Sequence, residues 1–118
     1  MKDLFQRGTF ILASGKSSDW KIECEALTDE SWETLAYLIS QRANAFGSVF
    51  GVPTGGNKLA DCLRKYASPG VATRLLVDDV FTSGTSIGRF RQRNDDVWVV
   101  FARNRPPSGI KALFVMEN

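Results

Sequence analysis

Two adjacent carboxylates, Asp78 and Asp79, stand where an apolar run ends in TRLLVDDVFTSGTSI (73–87), and five of the seven residues after them are Gly, Ser or Thr. The hydroxyls of Thr82, Ser83, Thr85 and Ser86 can donate hydrogen bonds, and Gly84 permits a sharp backbone bend. The N–H groups that open a following helix are unpaired and point outward. Together these make a cradle suited to a phosphoryl group. Carboxylates would repel a phosphate that they faced directly, so the pair makes chemical sense as acceptors for neutral hydroxyls beside it. A ribose 5-phosphate satisfies both halves, with its diol on the acids and its phosphate on the loop. Strand alternation leaves a second reading open, in which one Asp turns away to cap or to form an ion pair. Taken alone, the loop is also compatible with a plain Ser/Thr helix cap.

A second loop, Pro53-Thr54-Gly55-Gly56-Asn57, carries consecutive glycines that let backbone approach another anion closely, and Lys58 follows with a positive charge. Two anion loops on one rim point to a ligand with two separated phosphate groups. Other nucleotide signatures fail: Gly15-Lys16-Ser17 imitates the end of a Walker A motif, but position 10 is Phe where that motif needs glycine. The chain has no histidine, which excludes Ser-His-Asp and Cys-His catalysis and any imidazole base. Cys24 and Cys62 stand far apart, cannot build a common zinc site without histidine, and read as buried, inert thiols of a reducing compartment.

The elements that must position these residues follow from hydrophobic periodicity. TFILA (9–13) and DWKIEC (19–24) read as short strands about a turn. Thr28 is a candidate N-cap for a helix in which Trp32, Leu35, Ala36 and Ile39 repeat at helical spacing, with Asp29 and Glu30 at its positive end. SVFGV (48–52) is a strand, and the glycine loop then leads into a helix from about Lys58 to Ala67, ended by Ser68-Pro69-Gly70. TRLLVDDV (73–80) is a strand, a short helix runs from near Thr85 to Arg93, and VWVVFA (97–102) and IKALFVM (110–116) are the last strands. Apolar strands alternating with helices predict a single α/β domain over 1–118, with a mainly parallel sheet covered on both faces and the N-terminal strands as a small separate part. The loop 104–109 is too short for a parallel crossover, which predicts an antiparallel last strand if it neighbours the one before it.

A chain of 118 residues, 43% hydrophobic and 24% charged, describes one ordinary globular domain with little surplus stability, to which a homodimer would add. A net charge of +2 is too mild to mark a nucleic-acid binder, and suits a small phosphorylated ligand. No apolar run approaches membrane-spanning length and the start lacks a secretory signal, so the expected location is cytoplasmic.

RLLVDDVFTSGTSI resembles the signature of the type I phosphoribosyltransferases, and FGVPTGGNKLAD resembles their pyrophosphate loop and the helix after it. FILASGKSSDW followed by ALTDESWETLAYLI, and VVFARN further on, are similar to segments of the orotate phosphoribosyltransferase branch. The likeness covers nearly the whole chain in order. It implies a type I phosphoribosyltransferase-like fold, reduced, with a hood-like N-terminal part. It also implies a substrate, phosphoribosyl pyrophosphate or a nucleoside monophosphate, and a nitrogenous base as acceptor. In those terms Asp78 and Asp79 would hold the ribose hydroxyls as catalytic acids, and Thr82, Ser83, Gly84, Thr85 and Ser86 the 5-phosphate. Pro53, Thr54, Gly55, Gly56 and Lys58 would face the pyrophosphate, with Mg²⁺ bound through the substrate's own oxygens and no protein metal ligands. Lys16 and Arg103 would face the base, where Arg103 could pair with the carboxylate of an orotate-like pyrimidine.

The departures are as informative. Family enzymes carry an extra strand and a mobile basic loop between the pyrophosphate-loop helix and the acid-bearing strand, whereas only ASPGVAT separates Tyr66 from Arg74 here. By charge alone Lys58, Arg64, Lys65 and Arg74 are candidates to replace that loop's cations. Two functions of different class follow: transfer of ribose 5-phosphate to a base with release of pyrophosphate, or non-catalytic binding of a sugar phosphate by a protein that has lost the loop. A third, RNA binding through Arg89, Arg91 and Arg93, competes with a simple solvated helix end.

Overall fold

The computed structural model describes residues 4–11 and 17–116. Its elements run β1 (Phe5–Ile11), β2 (Ser17–Ile22), α1 (Asp29–Arg42), β3 (Ser48–Gly51), α2 (Asn57–Leu63), β4 (Arg74–Phe81), α3 (Thr85–Phe90), β5 (Asp96–Ala102) and β6 (Ile110–Val115). β3, β4, β5 and β6 form one parallel sheet in that order, and β1 and β2 pair separately as an antiparallel hairpin.

Helix α1 forms where its pattern demands. Thr28 caps it, its hydroxyl accepting the Ser31 N–H at 3.1 Å, and Trp32, Leu35, Ala36 and Ile39 are its buried residues. They pack with Leu59, Ala60 and Leu63 of α2 against Leu75, Val77, Trp98 and Val100 on one face of the sheet. Ile87 of α3 packs with Leu76, Val97 and Val99 on the other. Every residue of β5 is buried, as expected of a central parallel strand. Successive strands advance in one direction across the sheet while α2 and α3 lie on opposite faces, so their two crossovers have opposite hands. Nearly all such crossovers are right-handed, and one here is the exception.

The last strand corrects the expectation drawn from its short loop. β6 lies beside β5 but parallel to it, with Val97 opposite Ile110 and Ala102 opposite Val115. The return needs no helix. Eight extended Cα–Cα steps reach about 27 Å, against about 17 Å of strand to run back along. Pro106 and Pro107 favour the extended form that this requires.

Element ends also differ from the pattern. α2 gives way after Leu63 to a 3₁₀ turn over Arg64–Tyr66, and Cys24 lies in a second such turn, Cys24–Ala26, just past β2. α3 stops at Phe90, because Asp95 accepts the Gln92 N–H at 2.8 Å and draws residues 92–95 into a turn. The β1–β2 hairpin rests on the main domain through Leu4, Ile22 and Cys24, which pack on the core beneath α1. Among the described residues no helix is long and apolar enough to cross a membrane.

Candidate active site

Because β3, β4 and β5 are parallel, the loops that leave them share one rim. This is the edge at which open α/β sheets bind ligands. The loop after β3 is folded tightly: the Val52 N–H donates to the Val77 carbonyl and the Gly56 N–H to the Val52 carbonyl, each at 2.8 Å. The Pro53–Thr54 peptide is cis. A Cβ at Gly55 would lie 2.4 and 2.6 Å from the Asp79 carboxylate oxygens, so only glycine allows loop and acid to meet. Thr54, Gly55, Lys58 and Asp79 line a cleft of about 570 Å³, closed on its far side by Glu23 and Cys24 from the hairpin end.

The loop after β4 forms a second concavity. Gly84 has φ 81°, a conformation other residues resist, and it carries the chain into α3. The Ser83 and Thr85 hydroxyls lie 3.0 Å apart, and Thr82, Ser83, Thr85 and Ser86 all face the hollow that Asp78 borders. Its enclosed space is only about 20 Å³, so a phosphoryl group would sit at its mouth in contact with solvent.

The paired acids divide between these loops. Asp78 borders the 82–86 loop and Asp79 the 54–55 loop, and neither is turned away to a distant partner. The Asp79 N–H donates to Asp78 Oδ1 and the Val80 N–H to Asp79 Oδ1, both at 2.8 Å. Asp78 is buried, and loss of solvent pushes its carboxyl up to about 8; a hydrogen bond and charge repulsion from Asp79 add to this, against the Asp79 amide. At neutral pH Asp78 therefore keeps its proton. The consequence for stability has a definite sign. Between the unfolded value, 3.8, and about 8 the folded chain holds a proton that the unfolded chain has released, so stability falls as pH rises through that window. Asp78→Asn removes the penalty. It is expected to raise the thermal midpoint at pH 8 by about 5–8 °C, roughly 2 kcal/mol, with the gain vanishing towards pH 4; circular-dichroism melts at both pH values check it.

A third hollow, about 190 Å³, lies between the hairpin and the ends of β4 and β5. Arg103 lines it and is buried, although it lies just past a strand end, and its N–H donates to the Phe81 carbonyl at 3.0 Å. Thr82 is shared with the hollow at the 82–86 loop, so the two spaces adjoin. Lys16, the other residue expected to face a base, lies outside the described residues. Lys21 lines this hollow and was not singled out by the sequence, nor was Glu23 in the first cleft, which Cys24, read from the sequence as an inert thiol, also lines. Alternation along β2 shows that its side chains divide between two faces, but not which face the rim receives.

Of the four cations that charge alone nominated, only Lys58 lies in the cleft, where it pairs with Asp29 at 2.8 Å. Arg64 pairs with Asp61 and Lys65 with Glu33. Arg74 opens β4 at the opposite edge of the sheet and holds Asp95. Both cysteines are free and half-buried, less covered than the sequence implied. Burial pushes both thiols up, and Asp79 adds to this at Cys24 and Glu33 at Cys62, so neither supplies a thiolate at neutral pH.

No protein-family profile and no curated protein sequence matches the chain. Solved structures do. Orotate phosphoribosyltransferase from Aeropyrum pernix superposes with a TM-score of 0.73 at 23% identity, covering 96% of this chain and 89% of its own. The chain has the type I phosphoribosyltransferase fold. The Mycobacterium tuberculosis orotate phosphoribosyltransferase gives 0.67 at 13% identity, covering 95% of this chain and 89% of its own. Leishmania donovani UMP synthase gives 0.75 at 16%, over 96% of this chain and 34% of that one. The phosphoribosyltransferase fold thus accounts for the parallel sheet with helices on both faces and for the small hairpin beside it.

Proposed function

We propose that the protein binds phosphoribosyl pyrophosphate and transfers its ribose 5-phosphate to a nitrogenous base, an orotate-like pyrimidine, releasing pyrophosphate. One observation carries this: the two acids sit between two anion loops, Asp79 against Gly55 and Asp78 against residues 82–86. A sugar diol on the acids would direct its 5-phosphate to the hydroxyls of Thr82–Ser86 and its pyrophosphate to Thr54, Gly55 and Gly56. The base would approach from the Arg103 hollow. Reaction at the anomeric carbon needs placement and charge stabilisation more than a proton-transfer residue, so the lack of histidine is tolerable.

Among the described residues no group of three acidic or cysteine side chains could hold a metal ion by itself. The acids near the cleft are hard oxygen donors, which suits Mg²⁺ carried on the substrate's oxygens. When bound, it would neutralise charge on the departing pyrophosphate. Among the described residues Lys58 is the one positive side chain that lines the cleft, and the backbone of Gly55 and Gly56 would set the leaving group's position.

A second function, sugar-phosphate binding without turnover, is favoured by the scarcity of positive charge in that cleft. Glu23, Glu25 and Asp79 outnumber Lys58 there, and Lys58 already pairs with Asp29. Mixing the protein with phosphoribosyl pyrophosphate, Mg²⁺ and a panel of bases separates the two. Release of pyrophosphate that depends on the base supports transfer. Calorimetric binding without release supports the binder, and no binding of any sugar phosphate overturns both.

A further inference from the structure

We propose that Lys21 is a specificity-determining residue of the acceptor hollow, selecting single-ring heteroaromatic acids over neutral rings and over fused-ring bases. This rests on reading the rim as a phosphoribosyltransferase site, and it concerns a residue that neither the sequence motifs nor the proposed transfer had used.

Three observations carry it. The hollow measures about 190 Å³. A cavity of about 150 Å³ accepts a benzene ring, so one six-membered ring with a substituent fits and a fused bicycle is crowded. Its walls are mostly apolar, from Ile22, Val80, Phe101, Ala102 and Met116, which suits the faces of a flat ring. Two cationic residues line this apolar space from different elements, Arg103 just past β5 and Lys21 on β2.

Lys21 is held in place and is not a loose surface charge. Its ammonium lies 4.9 Å from the centre of the Phe10 ring and 3.2 Å from a Glu23 carboxylate oxygen. An ammonium has three N–H donors and Glu23 takes one, which leaves donors for a ligand. A neutral ring would leave the Lys21–Glu23 pair as it is. An acidic ring would gain a charge-assisted hydrogen bond from Lys21. Anionic and neutral rings of equal size are thereby distinguished, and the distinction depends on Lys21.

The test measures binding of orotate, nicotinate, uracil and adenine to the full chain by calorimetry, with phosphoribosyl pyrophosphate binding measured separately. At least one of the two acids is expected to bind at least tenfold tighter than uracil, and adenine at least tenfold weaker than that acid; comparing orotate with nicotinate tells a pyrimidine acid from a pyridine acid. Lys21→Met should bring the acid to within about threefold of uracil while leaving uracil and phosphoribosyl pyrophosphate binding unchanged. Lys21→Arg should keep the preference. A purely structural role would weaken acid and uracil alike, and that result overturns the proposal. So does a preference that survives Lys21→Met, tight adenine binding, or no heterocycle binding at all. If phosphoribosyl pyrophosphate fails to bind while the acid preference depends on Lys21, the transferase reading falls and the selectivity stands. Normal phosphoribosyl pyrophosphate binding with no effect of Lys21→Met does the reverse.

Discussion

Asp79→Asn is expected to lower pyrophosphate release at least about 100-fold, close to 2.7 kcal/mol of barrier. Asparagine has nearly the shape of aspartate and can still accept the Val80 N–H bond that aspartate takes at 2.8 Å, so the fold should persist. What it loses is charge and acceptor capacity. Its carboxamide presents one acceptor oxygen and an NH₂ group, and the diol of a ribose needs acceptors. The contact with Gly55 adds to the loss, since the carboxylate packs where even a methyl group would not fit, and any shift at Asp79 is transmitted to the 53–57 loop. Binding of phosphoribosyl pyrophosphate should weaken less than turnover, because the 82–86 loop and the backbone of Gly55 and Gly56 remain. Steady-state release and calorimetry on the same preparation provide the check. A variant that keeps a third or more of the wild-type rate would remove Asp79 from the chemistry.

The second large effect lies at the opposite edge of the sheet. Arg74 donates from Nε and an Nη to the two oxygens of Asp95 at 3.0 and 2.7 Å, and from the same Nη to the Phe90 carbonyl at 2.9 Å. Its guanidinium lies 5.0 Å from the centre of the Phe50 ring. The Asp95 side chain is 2% exposed. Burial pushes the Asp95 carboxyl up, but Arg74 and the Gln92 amide outweigh it and hold the group below its ordinary value. Arg74→Met would strand that charge and release the end of α3, at a cost of about 3–5 kcal/mol, which is a large share of the roughly 5–15 kcal/mol that holds a domain together. Asp95 contributes stability above its unfolded value, and the contribution is lost as pH falls through its lowered folded value. The gap between wild type and Arg74→Met should therefore narrow as pH falls towards the ordinary carboxylate value, where the stranded acid takes up a proton, and close further below it as the wild type loses its ion pair. Urea melts at pH 7 and pH 3.5 measure it, and Arg74→Met combined with Asp95→Asn should recover part of the loss. A deficit under 1 kcal/mol at pH 7 would mean that the pair is structurally idle.

The sequence by itself determined the features whose physics is local. Thr28 and the spacing of Trp32, Leu35, Ala36 and Ile39 specify α1, because capping and helical periodicity act within a few residues. The run into Asp78-Asp79 and the hydroxyl-rich bend at Gly84 specify a strand, a tight turn and a helix start, and with them the candidate site. Only the tertiary structure decided the rest. It set Asp78 of β4 against the 82–86 loop and its neighbour Asp79 against Gly55. It folded the hairpin so that Lys21 lines the same hollow as Arg103, and it sent Arg74 to an ion pair far from the rim. It also ran β6 parallel to β5 through a loop that looked too short. Each of these depends on which distant segments pair and on which face of a strand meets them. Alternation along a strand is symmetric between its two faces, and only packing breaks that symmetry.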